Sequence, residues 1–411
     1  MQALQFRRSV PRYALLKMLG KRRPALYTGP MGLVRLRDVE PPRLPHGEWV
    51  RITPRLSGIC GSDLATLTAK GSPYLAPVTS MPFVLGHEVV GTVSEVGDQA
   101  REWNEGDRVV LHPALGCQVR GISPACASCS GGRDALCRHV TRGVISAGIQ
   151  TGYCRDTGGG FSGSLVAHRC QLYRVPPEIS DRAAVLIEPF ACALHAALRT
   201  DPQENDTVLI IGCGSIGLLT IAALRALGCK ARICVVARYD HQRSLAKALG
   251  ADETLDTSPK TSIRYAQWAK ALGAEVLRAE LGKPMVIGGA SYTFDCVASS
   301  QSIDDGIRFT RGGGTFVLVG MPGIPKGVDW TPMWFKELTV CASYAYGPEN
   351  RPDGTKDTFD IAIALMRDWA VRLEPLVGQP YVLADYRAAF QSALRTGRSG
   401  VAKTVFAPSE N

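Results

Sequence analysis

The sequence has no uninterrupted apolar run of about 18 residues, the length a helix needs to cross a bilayer, and this excludes an integral membrane protein of the helical kind. It also lacks an internal repeat, a low-complexity tract and any basic stripe interleaved with aromatics. The net charge of +10 is instead spread over scattered residues. That distribution favours anionic small ligands and argues against nucleic acid. No acidic residue precedes Asp38, while "MQALQFRRSVPRYALLKMLGKRR" carries seven Arg or Lys. An organellar presequence would share that charge but should also be Ser-rich, so the stretch is read as an opening strand, "ALQF", followed by a basic loop. "YALLKMLG" is too short, and too closely flanked by charge, for a secretory signal. With no export signal, the thirteen cysteines read as thiols and metal ligands in a reducing, cytoplasmic setting rather than a disulfide framework.

What is present divides the chain in two. At 411 residues it exceeds one ordinary core. From about Val34 to Gly121, short alternating runs such as "EWVRITPRLSGIC", "FVLGHEVVGTVSEVG" and "GDRVVLHPAL", punctuated by Gly and Pro, predict a β-rich domain. From Asp206 the pattern changes to "TVLIIG", "SIGLLTIAALRALG", "RICVVA" and "HQRSLAKALGA". Strand and helix now alternate, the pattern of βαβ units on a parallel sheet. The stretch around Ser258 to Met285 reads as an extra helix in a long connection.

Between the first strand and helix of this second part lies Gly212-Cys213-Gly214-Ser215-Ile216-Gly217. The first glycine permits a tight turn, the second lets backbone approach a pyrophosphate, and the third allows close packing of helix on strand. The pyrophosphate then meets the positive helix end. At the end of the next strand, where an acid would bind the ribose hydroxyls of NAD, stands Ala237. Arg238 follows, with Tyr239, His241 and Arg243 nearby, a set suited to a 2′-phosphate. NADP is favoured over NAD, with Asp240 as the competing carboxylate.

The β-rich part holds a second constellation. "GICGSDL" brings Cys60, Ser62 and Asp63, "LGHEVVG" brings His87 and Glu88, and "LIEPFACALH" adds Glu188. Thiolate, imidazole and carboxylate are the ligand types of an open catalytic zinc. "SPACASCSGGRDALC" contributes Cys126, Cys129 and Cys137, one ligand short of a closed tetrahedral site.

Taken in order, "GICGSDL", "GHEVVGTVSEVG", "GDRVV", the cysteine lobe, "IEP", "GCGSIG" and "GGGTFVLVG" resemble the zinc-dependent medium-chain dehydrogenase/reductase family of alcohol, sorbitol and threonine dehydrogenases. The resemblance implies an α/β protein: a GroES-like catalytic domain, residues 1–195 and 345–411, and a Rossmann domain, residues 196–344, with the active cleft between them. By the same resemblance Cys60 and His87 are zinc ligands, Glu88 or Glu188 completes the site directly or through water, and Asp63 orients His87. Glu188 stands where liver-type alcohol dehydrogenases have cysteine, which points to the polyol, sugar and threonine branch. The family's structural lobe has four cysteines separated by two, two and seven residues. Here Ser123 replaces the first, and Cys117, six residues earlier, is expected to loop back and complete a site with Cys126, Cys129 and Cys137.

The implied reaction is hydride transfer between nicotinamide C4 and a small alcohol or carbonyl substrate, with Ser62 passing on the alcohol proton. Several family members place a histidine three residues beyond that hydroxyl; this chain has Ala65. An NADPH-driven aldehyde or ketone reductase is the alternative within the class. A metal-free quinone reductase would lack Cys60, His87 and the lobe cysteines, and a non-catalytic binding protein is the rival from another class. The family also implies a homodimer or homotetramer.

Overall fold

The strands Trp49–Gly58 and Glu88–Val96, each rich in β-branched residues, pair antiparallel from Val50 opposite Val96 to Gly58 opposite Glu88. In the computed structural model, which describes residues 1–409, they form the centre of a six-stranded antiparallel sheet. Its other members are Arg108–Leu111, Leu165–His168, Leu172–Arg174 and Val405–Phe406. A smaller sheet joins Gln2–Phe6 to Val34–Asp38 and Phe83–Val84. The basic stretch expected as a loop is helical from Val10 to Leu19, started by a proline in its first turn and anchored by buried Leu16.

These strands belong to one compact unit, Met1–Glu188 resuming at Tyr346, while Pro189–Ala345 forms a second. The second unit holds six parallel strands in the order Glu253–Leu255, Arg232–Val236, Thr207–Ile211, Ala290–Asp295, Thr310–Leu318, Thr339–Ala342. Numbered along the chain, that order is 3-2-1-4-5-6, the doubly wound Rossmann arrangement. Its central strand, TVLII, is buried on both faces, as strands of a covered parallel sheet are.

The stretch around residues 258–285 is a structural part of this unit. Its helix Thr261–Leu272 buries Tyr265 and Trp268 against Phe309, and the Tyr265 hydroxyl donates to Asp305 at 2.8 Å. Burying side chains of this size contributes on the order of 2–3 kcal/mol each, and Arg264, 3.0 Å from Asp305, adds a buried ion pair. A short antiparallel hairpin, Glu275–Leu277 with Met285–Ile287, follows the helix.

Candidate active site

Register builds the first cluster. Pairing Gly58 with Glu88 sets Cys60, just past the end of one strand, beside His87, just before the start of the other. Ligand atoms of Cys60, His87 and Glu88 lie within 4.8 Å of one another. Cys60 is also the N-cap of the helix Gly61–Leu67, and Asp63 occupies the third helical position. The cap is reciprocal: the Cys60 sulfur accepts from the Asp63 backbone N–H, and the Cys60 N–H donates to Asp63 Oδ2 at 2.9 Å. The other oxygen of Asp63 faces His87 Nδ1 at 3.7 Å, an ion-pair separation longer than a hydrogen bond.

Two residues outside the site expected from the sequence complete the surroundings. Lys403, from the lead-in to the strand Val405–Phe406, donates to both oxygens of Glu88 at 2.6 Å and to the Ile59 carbonyl at 3.3 Å. The pair is almost wholly buried, with side chains 3% and 1% exposed. Gly58 makes room for it, since a Cβ there would lie 2.0 Å from Glu88 Oε2. Tyr346 donates to Glu188 Oε1 at 3.2 Å. Glu188 and Tyr346 are the residues at which the chain leaves the first unit and re-enters it, so this bond ties the two crossings together.

The electrostatics of the cluster are those of a site short of positive charge. Burial pushes Asp63 up to about 6 and Glu188 up to about 7, against the pull of His87 on each. Burial opposes a charged His87, yet Asp63, Cys60 and Glu188 outweigh it and raise the imidazole to about 10. Burial likewise opposes a charged Lys403, and Glu88 and Cys60 lift it above the ordinary lysine value. One thiol and three carboxylates therefore gather around two cationic groups. A divalent cation fits the deficit and the donor types.

The lobe forms the second cluster. Sulfurs of Cys117, Cys126, Cys129 and Cys137 all lie within 4.8 Å of one another, with Cys117 Sγ 3.6 Å from Cys137 Sγ. Four sulfurs around zinc at about 2.3 Å stand about 3.8 Å apart, so the cage has the size of the ion. Backbone N–H groups of Cys126, Cys117, Arg138 and His139 donate to the sulfurs of Cys117, Cys129, Cys126 and Cys137 respectively. Those from Arg138 and Cys129 bring Cys126 down to about 6, while burial pushes Cys137 up to about 11. The detour that returns Cys117 is held by Arg120, fully buried and donating to the carbonyls of Leu115, Arg142, Ile145, Ser146 and Gly148. His139 Nδ1, 3.3 Å from Cys117 Sγ, was a further neighbour the sequence did not signal.

In the Rossmann unit, Gly212 has φ +98° and leads through Gly214, the N-cap, into the helix Ser215–Ala226, which includes Ile216 and Gly217. A Cβ on Gly217 would meet the Gly212 carbonyl at 1.9 Å, whereas at Gly214 it would meet nothing within 4 Å. The third glycine is thus required for packing, and the second leaves open space for a pyrophosphate. Past the strand Arg232–Val236, Ala237 is buried. Arg238 is exposed, its guanidinium 5.6 Å from the Tyr239 ring centroid. Arg243 is committed elsewhere, paired with Asp240 at 2.5 Å and with Asp256. Arg155 and Asp156 both bind Ser146 and hold their own loop.

An open mixed-donor cluster, a four-sulfur lobe and a dinucleotide fold together define a zinc-dependent oxidoreductase that uses a nicotinamide cofactor. Family models agree: "Alcohol dehydrogenase GroES-like domain" matches residues 46–177 and "Zinc-binding dehydrogenase" matches residues 215–365. The chain belongs to the zinc-dependent medium-chain dehydrogenase/reductase family. It is similar to L-idonate 5-dehydrogenase of Vitis vinifera, 27% identical over 357 residues, 86% of this chain and 87% of that protein. L-threonine 3-dehydrogenase of Paraburkholderia xenovorans is 28% identical over 368 residues, 89% of this chain and 93% of that protein. Among solved structures, 2R,3R-butanediol dehydrogenase from Bacillus subtilis shares the fold with a TM-score of 0.69 and 24% identity, over 91% of this chain and 96% of that one. The chain is accordingly an NAD(P)-dependent enzyme of alcohol or polyol oxidoreduction. Among the described residues no helix is long and apolar enough to cross a membrane.

Proposed function

We propose that the chain oxidises a small polyol, sugar or secondary alcohol with NADP, using a catalytic zinc held by Cys60, His87 and Glu188 and a structural zinc held by Cys117, Cys126, Cys129 and Cys137. The observation that carries the reading is the convergence of Cys60, His87 and Glu88 within 4.8 Å in a site short of positive charge. Glu88 has both oxygens committed to Lys403, which leaves Glu188, held by a neutral phenol, as the ligating carboxylate. Zinc, when bound, supplies Lewis acidity that stabilises charge on the substrate oxygen.

The chain's own residues do the rest. Asp63 holds His87 in place by charge, and Lys403 keeps Glu88 paired. Ser62 Oγ, a buried hydroxyl, is available to take the alcohol proton. Ala237 and exposed Arg238 support NADP: no carboxylate ends the strand, and no ion pair among the described residues occupies Arg238. A homo-oligomer is supported by the outer strand Thr339–Ala342. It ends the parallel sheet with Val340 44% exposed, and the helix before it, Thr331–Phe335, exposes Trp334 and Phe335 at 66% and 58%.

The test is zinc content per chain with a fluorescence titration of NADPH and NADH. Two zincs and tighter NADPH binding are expected. One zinc or none would remove a metal site from the reading, and tighter NADH binding would overturn the cofactor assignment.

A further inference from the structure

Ala65 offers no polar atom, yet a proton accepted by Ser62 has to leave a buried site. Ser62 and Thr66 lie four residues apart on the helix Gly61–Leu67, hence on one face and one turn from each other. The Tyr153 phenol lies over that face: its hydroxyl is 3.2 Å from Thr66 Oγ1. Burial and the Asp63 charge keep that hydroxyl protonated, while hydrogen bonds with Ser62 and with Thr66 pull the other way, so both side chains reach it. The ring is held against Phe83, centroids 5.2 Å apart, and its backbone accepts from the Ser80 N–H and donates to Gln150. Thr66, like Ser62 and Tyr153, is half-buried.

The geometry points to Tyr153 as a positioning residue that links Ser62 to Thr66 in a chain of three hydroxyls, through which the substrate's proton leaves past Ala65. The inference rests on the dehydrogenase reading above. As the hydride goes to nicotinamide C4, the substrate O–H proton passes to Ser62 Oγ. Ser62 gives its own proton to the Tyr153 oxygen, Tyr153 gives its own to Thr66, and Thr66 gives one to water. Each hydroxyl gains one proton and loses one, so none changes charge. This suits a phenol whose burial holds it above its ordinary value and therefore neutral.

The test compares wild type, Tyr153→Phe and Thr66→Val, all zinc-loaded. Stopped-flow release of protons to an indicator dye is followed on mixing with NADP⁺ or NAD⁺, and kcat is followed across pH with D-sorbitol and with 2,3-butanediol. In Tyr153→Phe, zinc content and melting temperature should hold while proton release slows and kcat at pH 7 falls about 10-fold, part of the roughly 100-fold or more that positioned proton transfer supplies. The kcat deficit should narrow towards pH 10, where hydroxide takes the proton directly. Thr66→Val should show the same slowing and carries the test if Tyr153→Phe loses zinc. A wild-type enzyme that turns over, with proton release and pH profile unmoved in either folded variant, overturns the relay alone. A wild type that neither releases protons nor turns over with either substrate removes the proposed polyol and secondary-alcohol reading, and the relay with it.

Discussion

Replacing Lys403 with methionine keeps most of the side chain's volume and removes its charge. Glu88 would then be a carboxylate 1% exposed with no cation on either oxygen. Solvent screening is negligible at that depth, so removing one partner of this pair should cost about 3–5 kcal/mol. For a unit of this size each kcal/mol moves the midpoint by about 2–4 °C, which gives a fall of about 6–20 °C. The reverse substitution, Glu88→Gln, should destabilise in the same range by stranding Lys403. The double variant should recover most of the loss, because a neutral pair has no stranded charge. Differential scanning fluorimetry on all four proteins reads the cycle. A Lys403→Met protein melting within about 2 °C of wild type, or a double variant as unstable as the sum of the singles, would refute the argument that Lys403 neutralises Glu88.

Cys117→Ser should release about one zinc per chain, or lower the melting point markedly, because the cage loses one of four thiolates; unchanged metal content would restore the loop-out of Cys117 to a bystander. Arg238→Gln should weaken NADPH binding about 10-fold or more while leaving NADH within about 3-fold, the usual scale of a charge-assisted phosphate contact, as read by fluorescence titration; equal loss for both cofactors would refute a 2′-phosphate role. The metal-free enzyme should lose stability as pH rises. Asp63 and Glu188, raised to about 6 and about 7, and His87, raised to about 10, all bind more protons folded than unfolded across windows that together run from about pH 4 to about pH 10. Zinc binding should offset the loss increasingly towards alkaline pH, as the ligands shed protons. Melting in chelator and in zinc from pH 5 to 9 checks the sign, and a metal-free midpoint that climbs with pH would contradict it.

Much of the site was legible because its residues sit in compact motifs whose spacing already carries the geometry. Gly212, Gly214 and Gly217 differ in what a Cβ would meet, as their separate roles require. Cys117 was recoverable despite Ser123, since four thiols within 21 residues constrain one another. Lys403 was not: it is one lysine in "VAKTVF", 315 residues from Glu88, and only strand pairing brings the two together. Tyr153 and Tyr346 carry no motif, and a lone aromatic in sequence does not tell which way its hydroxyl points. The helix Val10–Leu19 was misread because its basic residues dominate the composition while its inward anchor is a single leucine. Arg243 looked like a phosphate ligand until Asp256, thirteen residues on, was seen to hold it.

The Lys403–Glu88 contact also sets an order on how the protein is made. Glu88 emerges from the ribosome early, and its counter-charge follows 315 residues later, after the whole of Pro189–Ala345 has been synthesised. The inserted unit has its own parallel sheet and core and can fold as synthesis proceeds, whereas Glu88 stays without its cationic partner throughout. The four lobe cysteines, all within residues 117–137, are all made early in translation. Glu88 has to wait for Lys403, so the proposed lobe cage has all its thiols long before the buried Lys403–Glu88 pair can form.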